Sequence, residues 1–159
     1  MPKLAVVIQD TQSLNDPLCP YIPQHSCSFD FTAFANIGAA FVTEVARVFA
    51  VRAGGISKAT TRHKHYVIRL LLGWIQANSK SFPTFRRKLF TTYQSILVDE
   101  WELVLNTWRD EIVNDEHRRC ETSRAQIIRQ ANVLIENFVG ARKMRPISRL
   151  APIKYSSGL

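Results

Sequence analysis

The chain has 159 residues, 46 % of them apolar, which suits one domain with a packed core. Its 6 Gly and 7 Pro are too few for a collagen-like or low-complexity disordered chain. The net charge is +8 and uneven: residues 1–50 sum to −2 and residues 51–159 to +10, so an acidic partner is expected, most often nucleic acid.

Cys19, Cys27 and Cys120 form an odd set with no repeated spacing. That argues against a disulfide framework and fits a reducing cytosol. The apolar run Leu4 to Ile8 is too short for a signal-peptide core. No run approaches the roughly 20 apolar residues of a membrane span. A cytoplasmic, nucleoid-associated protein without a membrane partner is therefore expected.

Residues 1–30 read as an irregular lead-in. Pro17, Pro20 and Pro23 follow one another closely and oppose both helix and ladder bonding. Cys19, His25 and Cys27 lie together, but a metal site needs a fourth ligand and a more usual spacing, so no metal and no cofactor is expected. Residues 31–140 read as a helical domain. Phe29, Phe31 and Phe34 pin the lead-in to it. A first helix is predicted from Asn36, as its cap, to about Arg52, with the stripe Phe41, Val45, Val48 and Phe49. Gly54 and Gly55 end it, in the left-handed conformation that glycine accepts.

The second helix, from Ser57 to Asn78, organises the rest. Ser57 or Thr60 caps it. Its first half carries Lys58, Arg62, Lys64 and Arg69, and its second half carries Leu70, Leu71, Trp74 and Ile75 at helical spacing. The functional reading is a helix that grips a nucleic-acid backbone; the plain one is an amphipathic core helix with solvated cations. Between Ser79 and Ser95, Pro83 suits the first turn of a short helix. There Arg86, Arg87 and Lys88 are consecutive and flanked by Phe82, Phe85, Leu89, Phe90 and Tyr93, as a phosphate-binding segment or, preferred, a connector with a solvated face.

A third long helix runs from about Ile96 to Asn114, with Trp101, Val104, Leu105, Trp108 and Ile112 on one face and acids on the other. A polyanion would be repelled by that acidic face, so it must point away from any DNA. Thr122 or Ser123 caps the last helix, and Ser123 with Gln126 matches a capping box. Ile127, Ile128, Ala131, Leu134, Ile135 and Phe138 form its stripe, and Gly140 closes it. Arg124 and Arg129 sit near its N-terminus, where free N–H groups and the dipole favour phosphate. Residues 141–159 read as a basic linker following a backbone electrostatically.

There is no phosphate-cradling glycine loop, nucleophile elbow or metalloprotease His pair, and the acids read as solvated surface groups. No catalytic residue and no small-molecule substrate is expected for this chain alone.

The order FDFTAF, RAGG, SKATTRHKHYVIRLLLGWI, an acidic Trp-bearing helix, ETSRAQIIRQANVLIENFVG and RPISRLAPIK resembles the N-terminal core-binding part of tyrosine recombinases, the phage-integrase-like site-specific recombinases. The likeness covers residues 29–154. It implies an all-α fold, a small orthogonal SAM-like bundle of four to five helices with an irregular N-terminal lead-in and a basic C-terminal linker. It implies duplex DNA as partner, with a catalytic domain or other recombinase protomers as further ones. By position it implies DNA contacts from Lys58, Thr60, Arg62, Lys64 and Arg69, from Thr122, Ser123, Arg124, Gln126 and Arg129, and from Arg145, Arg149 and Lys154. The family's catalytic arginines, His-x-x-Arg and Tyr belong to a separate domain, and no histidine here has Arg at the third position after it. The competing reading is a stand-alone helical protein-interaction module or a truncated integrase remnant. The DNA reading requires the cations of two helices and the tail to share one side, opposite the acidic helix.

Overall fold

The structure, a computed structural model, describes residues 16–115 and 119–142, with side chains through Glu136. The expectations for Leu4 to Ile8, Phe138 and the basic linker fall outside these.

Five α-helices make up most of the described chain: α1 (Ala39–Ala53), α2 (Lys58–Asn78), α3 (Pro83–Thr91), α4 (Val98–Val113) and α5 (Glu121–Arg142). Short 3-10 turns at Thr32–Ile37, Ser79–Ser81 and Tyr93–Ser95 join them. The all-α class is therefore observed. No helix among the described residues is long and apolar enough to cross a membrane.

The sequence spacing translates directly into packing. Trp101, Val104, Leu105, Trp108 and Ile112 are all buried on α4. Ile127, Ile128, Ala131 and Ile135 are buried on α5. Ile68, Leu72 and Ile75 of α2 are at most 2 % exposed, and each contributes roughly 1.5–3 kcal/mol by leaving water. Phe41 and Phe85 flank Trp101 with ring centroids 5.6 and 5.0 Å away, joining α1, α3 and α4. Ser57 is the α2 cap: its Oγ accepts from the Thr60 N–H at 3.2 Å. Pro83 begins α3, where a missing N–H costs no helical bond.

The described lead-in departs from the irregular reading. Its strands β1 (Tyr21–Ile22) and β2 (Cys27–Ser28) pair antiparallel across a Pro23–His25 turn. The prolines do not prevent this because they flank the ladder; Pro20 serves as an acceptor, its carbonyl taking the Phe29 N–H at 3.0 Å. The segment then runs along one edge of α2. His25 Nε2–H donates to Ala53 O at 2.8 Å with Thr61 Oγ1 3.2 Å away, while Thr61 donates to Ser57 O. A carbonyl only accepts, so Nε2 carries the proton. Further along, His65 Nε2 donates to Asp30 O at 3.0 Å, and Gln76 Nε2 donates to Ala33 O and Asn36 Oδ1. Phe29 and Phe31 set their rings edge-on to His65.

Three predicted helix ends move. Asn36 is not the α1 cap; it lies in a 3-10 turn, and Gly38 precedes α1 instead. Gly54 is right-handed, φ −66°, so the left-handed argument does not apply to it. Its small size matters instead, since a Cβ there would lie 3.2 Å from Gln24 Nε2. On α5, Thr122 and Ser123 are inside the first turn that Glu121 opens, and the helix continues through Gly140 to Arg142. Helix ends commonly shift by one or two residues, and the strong periodicity downstream gives no start signal of its own.

Gly38 has φ +154°, and a Cβ there would lie 2.2 Å from the Leu89 carbonyl oxygen. Gly38→Ala is expected to destabilise by more than about 2 kcal/mol, read by urea unfolding, because backbone on backbone leaves no flexible group to yield. Burial, ahead of the nearby Arg69, pushes the His65 imidazole below its ordinary value, against an opposing contribution from Asp30. The folded state thus binds fewer protons than the unfolded one. Stability is complete above the ordinary value of about 6.5 and falls as pH drops below it. Melting temperature should decline from pH 7.5 toward 5.5, and His65→Gln should flatten that decline.

Candidate nucleic-acid interface

The cations divide first by whether the protein already occupies them. Arg47 pairs with Glu44, Lys88 with Glu100 at 3.0 Å, Arg109 with Asp110 and Arg119 with Asp115. Lys58, Arg62 and Arg69 are exposed and form no ion pair among the described residues. At 100° per residue these three fall within about 40° of one another around α2, and a seven-residue step past Arg69 reaches Gln76. They form one strip of positive charge about 16 Å long.

The strip has two defined edges. On one side lies the lead-in, tied to Thr61, His65 and Gln76. On the other lies the junction of α4 and α5: Trp74 Nε1 donates to Glu111, and Arg119 donates to Tyr66 Oη at 3.1 Å.

The other residues predicted on α2 do not join the strip. Thr60 is half-buried and serves the N-terminal cap: its N–H and hydroxyl both meet Ser57. Lys64 lies roughly 200° around the helix from Arg62. It lines a small cavity with Arg52, Gln130 and Leu134, against α5. Burial, then the Arg52 charge, holds its ammonium below the ordinary lysine value.

On α5, Thr122 and Arg129 are exposed, and Arg129 donates to Gln126, whose side chain is half-buried on the same flank. Ser123 is half-buried. Arg124 is engaged within the protein. It lies three, four and seven residues before Ile127, Ile128 and Ala131, on the buried stripe itself. Its Nη1 donates to Val113 O at the C-terminal end of α4, and its Nε is buried without a partner among the described residues. A guanidinium there satisfies a carbonyl the helix leaves free and suits the negative end of the dipole. Arg124 thus ties α5 to the end of α4. Arg145, Arg149 and Lys154 lie outside the described residues.

The separation of charge is therefore partial. Asp99, Glu102 and Asp110 belong to the acidic helix as expected, but its last turn brings Glu111 to Trp74, beside the strip. The α5-facing side of α2, marked by Lys64, is not the side that carries Lys58, Arg62 and Arg69, so the two helices do not offer one continuous cation patch. On α3, Arg86 and Arg87 lack ion pairs among the described residues, while the neighbouring Lys88 is taken by Glu100. The His25 ring, once weighed as a metal ligand, is engaged by the end of α1.

Compared with known proteins, the chain matches no family model, no curated protein and no solved structure.

The Arg124 assignment has a direct consequence. Arg124→Met keeps the aliphatic stem and removes the donor to Val113 O, so it should cost roughly 1–3 kcal/mol in thermal or urea unfolding. Retention on duplex DNA per folded molecule should be unchanged.

Proposed function

We propose that this chain is a duplex DNA-binding module that grips the phosphate backbone through α2, of the core-binding kind found in tyrosine recombinases, with strand cleavage left to a separate domain. The observation that carries this is the strip of Lys58, Arg62 and Arg69, exposed, aligned and free of ion pairs among the described residues. A run of about 16 Å on a helix is long enough for its three cations to meet successive phosphates of one strand. The cations of the strip are held on a helix whose opposite face is locked in the core, so little ordering remains to be done on binding. Phosphate contacts of this kind give position and affinity without sequence. Base reading falls to Arg62 or Arg69 entering the major groove, where arginine recognises guanine. Thr122 and Arg129 on α5, and the arginines and lysine of the tail, add secondary contacts under this reading. Among the described residues the large exposed apolar side chains, Val51, Phe90, Leu97 and Leu103, fall on three different helices or their edges, which favours DNA over a protein-docking face.

The salt dependence of duplex binding tests this. A three-cation strip predicts a slope of log K against log salt of about −3, steeper if the tail joins. Arg62→Glu with Arg69→Glu should weaken retention at least about tenfold at low salt and lower the slope by about 2, with helicity unchanged in circular dichroism. Undiminished retention would remove α2 from the interface. A stable dimer on a sizing column with no DNA retention would favour the protein-interaction reading instead.

A further inference from the structure

A second cationic site lies at the opposite end of α2, about 30 Å along the helix from Lys58. Here the Thr32–Ile37 turn, the end of α2 and α3 enclose a cleft of about 500 Å³, within the range of small-molecule sites. Its walls carry Asn36, Gln76, Lys80, Arg86, Arg87 and Phe90, and no carboxylate of the described residues lines it. The Glu100 carboxylate, whose own value Arg87 helps to lower, is bonded to Leu97 N–H and Lys88. Lys80 and Arg86 form no ion pair among the described residues.

Two further features make the cleft selective for more than an anion. Phe90 is 63 % exposed and is the one aromatic among the large exposed apolar side chains of the described residues. It stands one helical turn from Arg86, so the two side chains leave the same face of α3 with their Cβ atoms about 5–6 Å apart and a cation and a ring can reach one ligand together. On the facing wall, Asn36 Oδ1 accepts from Gln76 Nε2 at 2.6 Å, and the same Nε2 donates to Ala33 O at 2.9 Å. That leaves the Asn36 amide hydrogens and Gln76 Oε1 to offer a donor and an acceptor side by side. The Gly38–Leu89 backbone approach clamps α3 against this wall, so the geometry is preformed.

We propose that this cleft binds a nucleotide unit, with its phosphate on Lys80, Arg86 and Arg87, its base stacked on Phe90 and the base edge against Asn36 and Gln76. The site is independent of the duplex-binding strip. The unit is either a free mononucleotide or an unstacked nucleotide of a single strand, since both present the same phosphate and base.

Titration of the full-length protein with 5′-AMP, with inorganic phosphate and with an octamer of deoxyadenylate, followed by amide chemical shifts and calorimetry, tests this. AMP should bind at least about tenfold more tightly than phosphate, since stacking adds to charge. Phe90→Ala removes an exposed side chain and should preserve the fold. It should weaken AMP at least about fivefold and leave phosphate unchanged. Arg86→Gln with Arg87→Gln should weaken both. An octamer binding much more tightly than AMP assigns the site to a strand; equal affinity assigns it to the free nucleotide. Absence of saturable shifts at cleft residues with millimolar AMP would overturn the proposal, as would AMP binding unaltered by Phe90→Ala. The Arg62→Glu, Arg69→Glu protein should bind AMP normally, so failure here is distinct from failure of duplex binding.

Discussion

Burial of one face of α2 is the constraint on which everything else rests. Ile68 and Leu72 lie among residues of α1, α4 and α5, Ile75 is buried with them, and the flanks are tied by hydrogen bonds. Thr61, His65 and Gln76 take the lead-in on one flank, and Tyr66 and Trp74 take the α4–α5 junction on the other. What stays open carries Lys58, Arg62 and Arg69, with Ala59, Gln76 and Ala77 as the other exposed positions of the helix. The cationic strip is thus the charged part of the face that packing leaves open, and its rigidity comes from the core beneath it.

The same logic sorts the charges. Among the described residues some basic side chains have a carboxylate beside them, as Lys88 has Glu100 and Arg119 has Asp115, and Arg124 donates to Val113 O at the end of α4. Lys58, Arg62 and Arg69 along α2, and Lys80 and Arg86 just beyond it, form no ion pair there. The pairs themselves are exposed or half-exposed and add little to stability. Their effect is to decide which cations are available to a ligand.

Helix existence was legible wherever apolar spacing was strong. The stripe from Trp101 to Ile112 is buried residue for residue, and Ser57 caps α2 as its chemistry suggested. The SAM-like arrangement implied by resemblance has no support from comparison with known proteins. Arg124 shows a different kind of miss. Its spacing to Ile127, Ile128 and Ala131 already placed it inside, but a guanidinium at a helix start suggested phosphate, and residue type outweighed periodicity. Lys64 likewise stands away from Lys58, Arg62 and Arg69, beside a cavity against α5. Asn36 is a good cap residue by type, yet the backbone enters α1 through Gly38 because α3 approaches too closely there for any Cβ. The cleft was beyond reach of a linear reading, since Asn36, Gln76 and Arg86 meet only when three segments assemble.

The lead-in's place beside α2 also bears on how the chain emerges from the ribosome. Its anchoring bonds join residues 35 to 43 positions apart, so Phe29 and Phe31 leave the exit tunnel well before the helix that will cover them. At about 5–20 residues per second, those rings wait on the order of several seconds for Gln76 to be made. The prolines and polar residues around them, which keep a nascent segment from joining other strands, then serve the growing chain as much as the finished one.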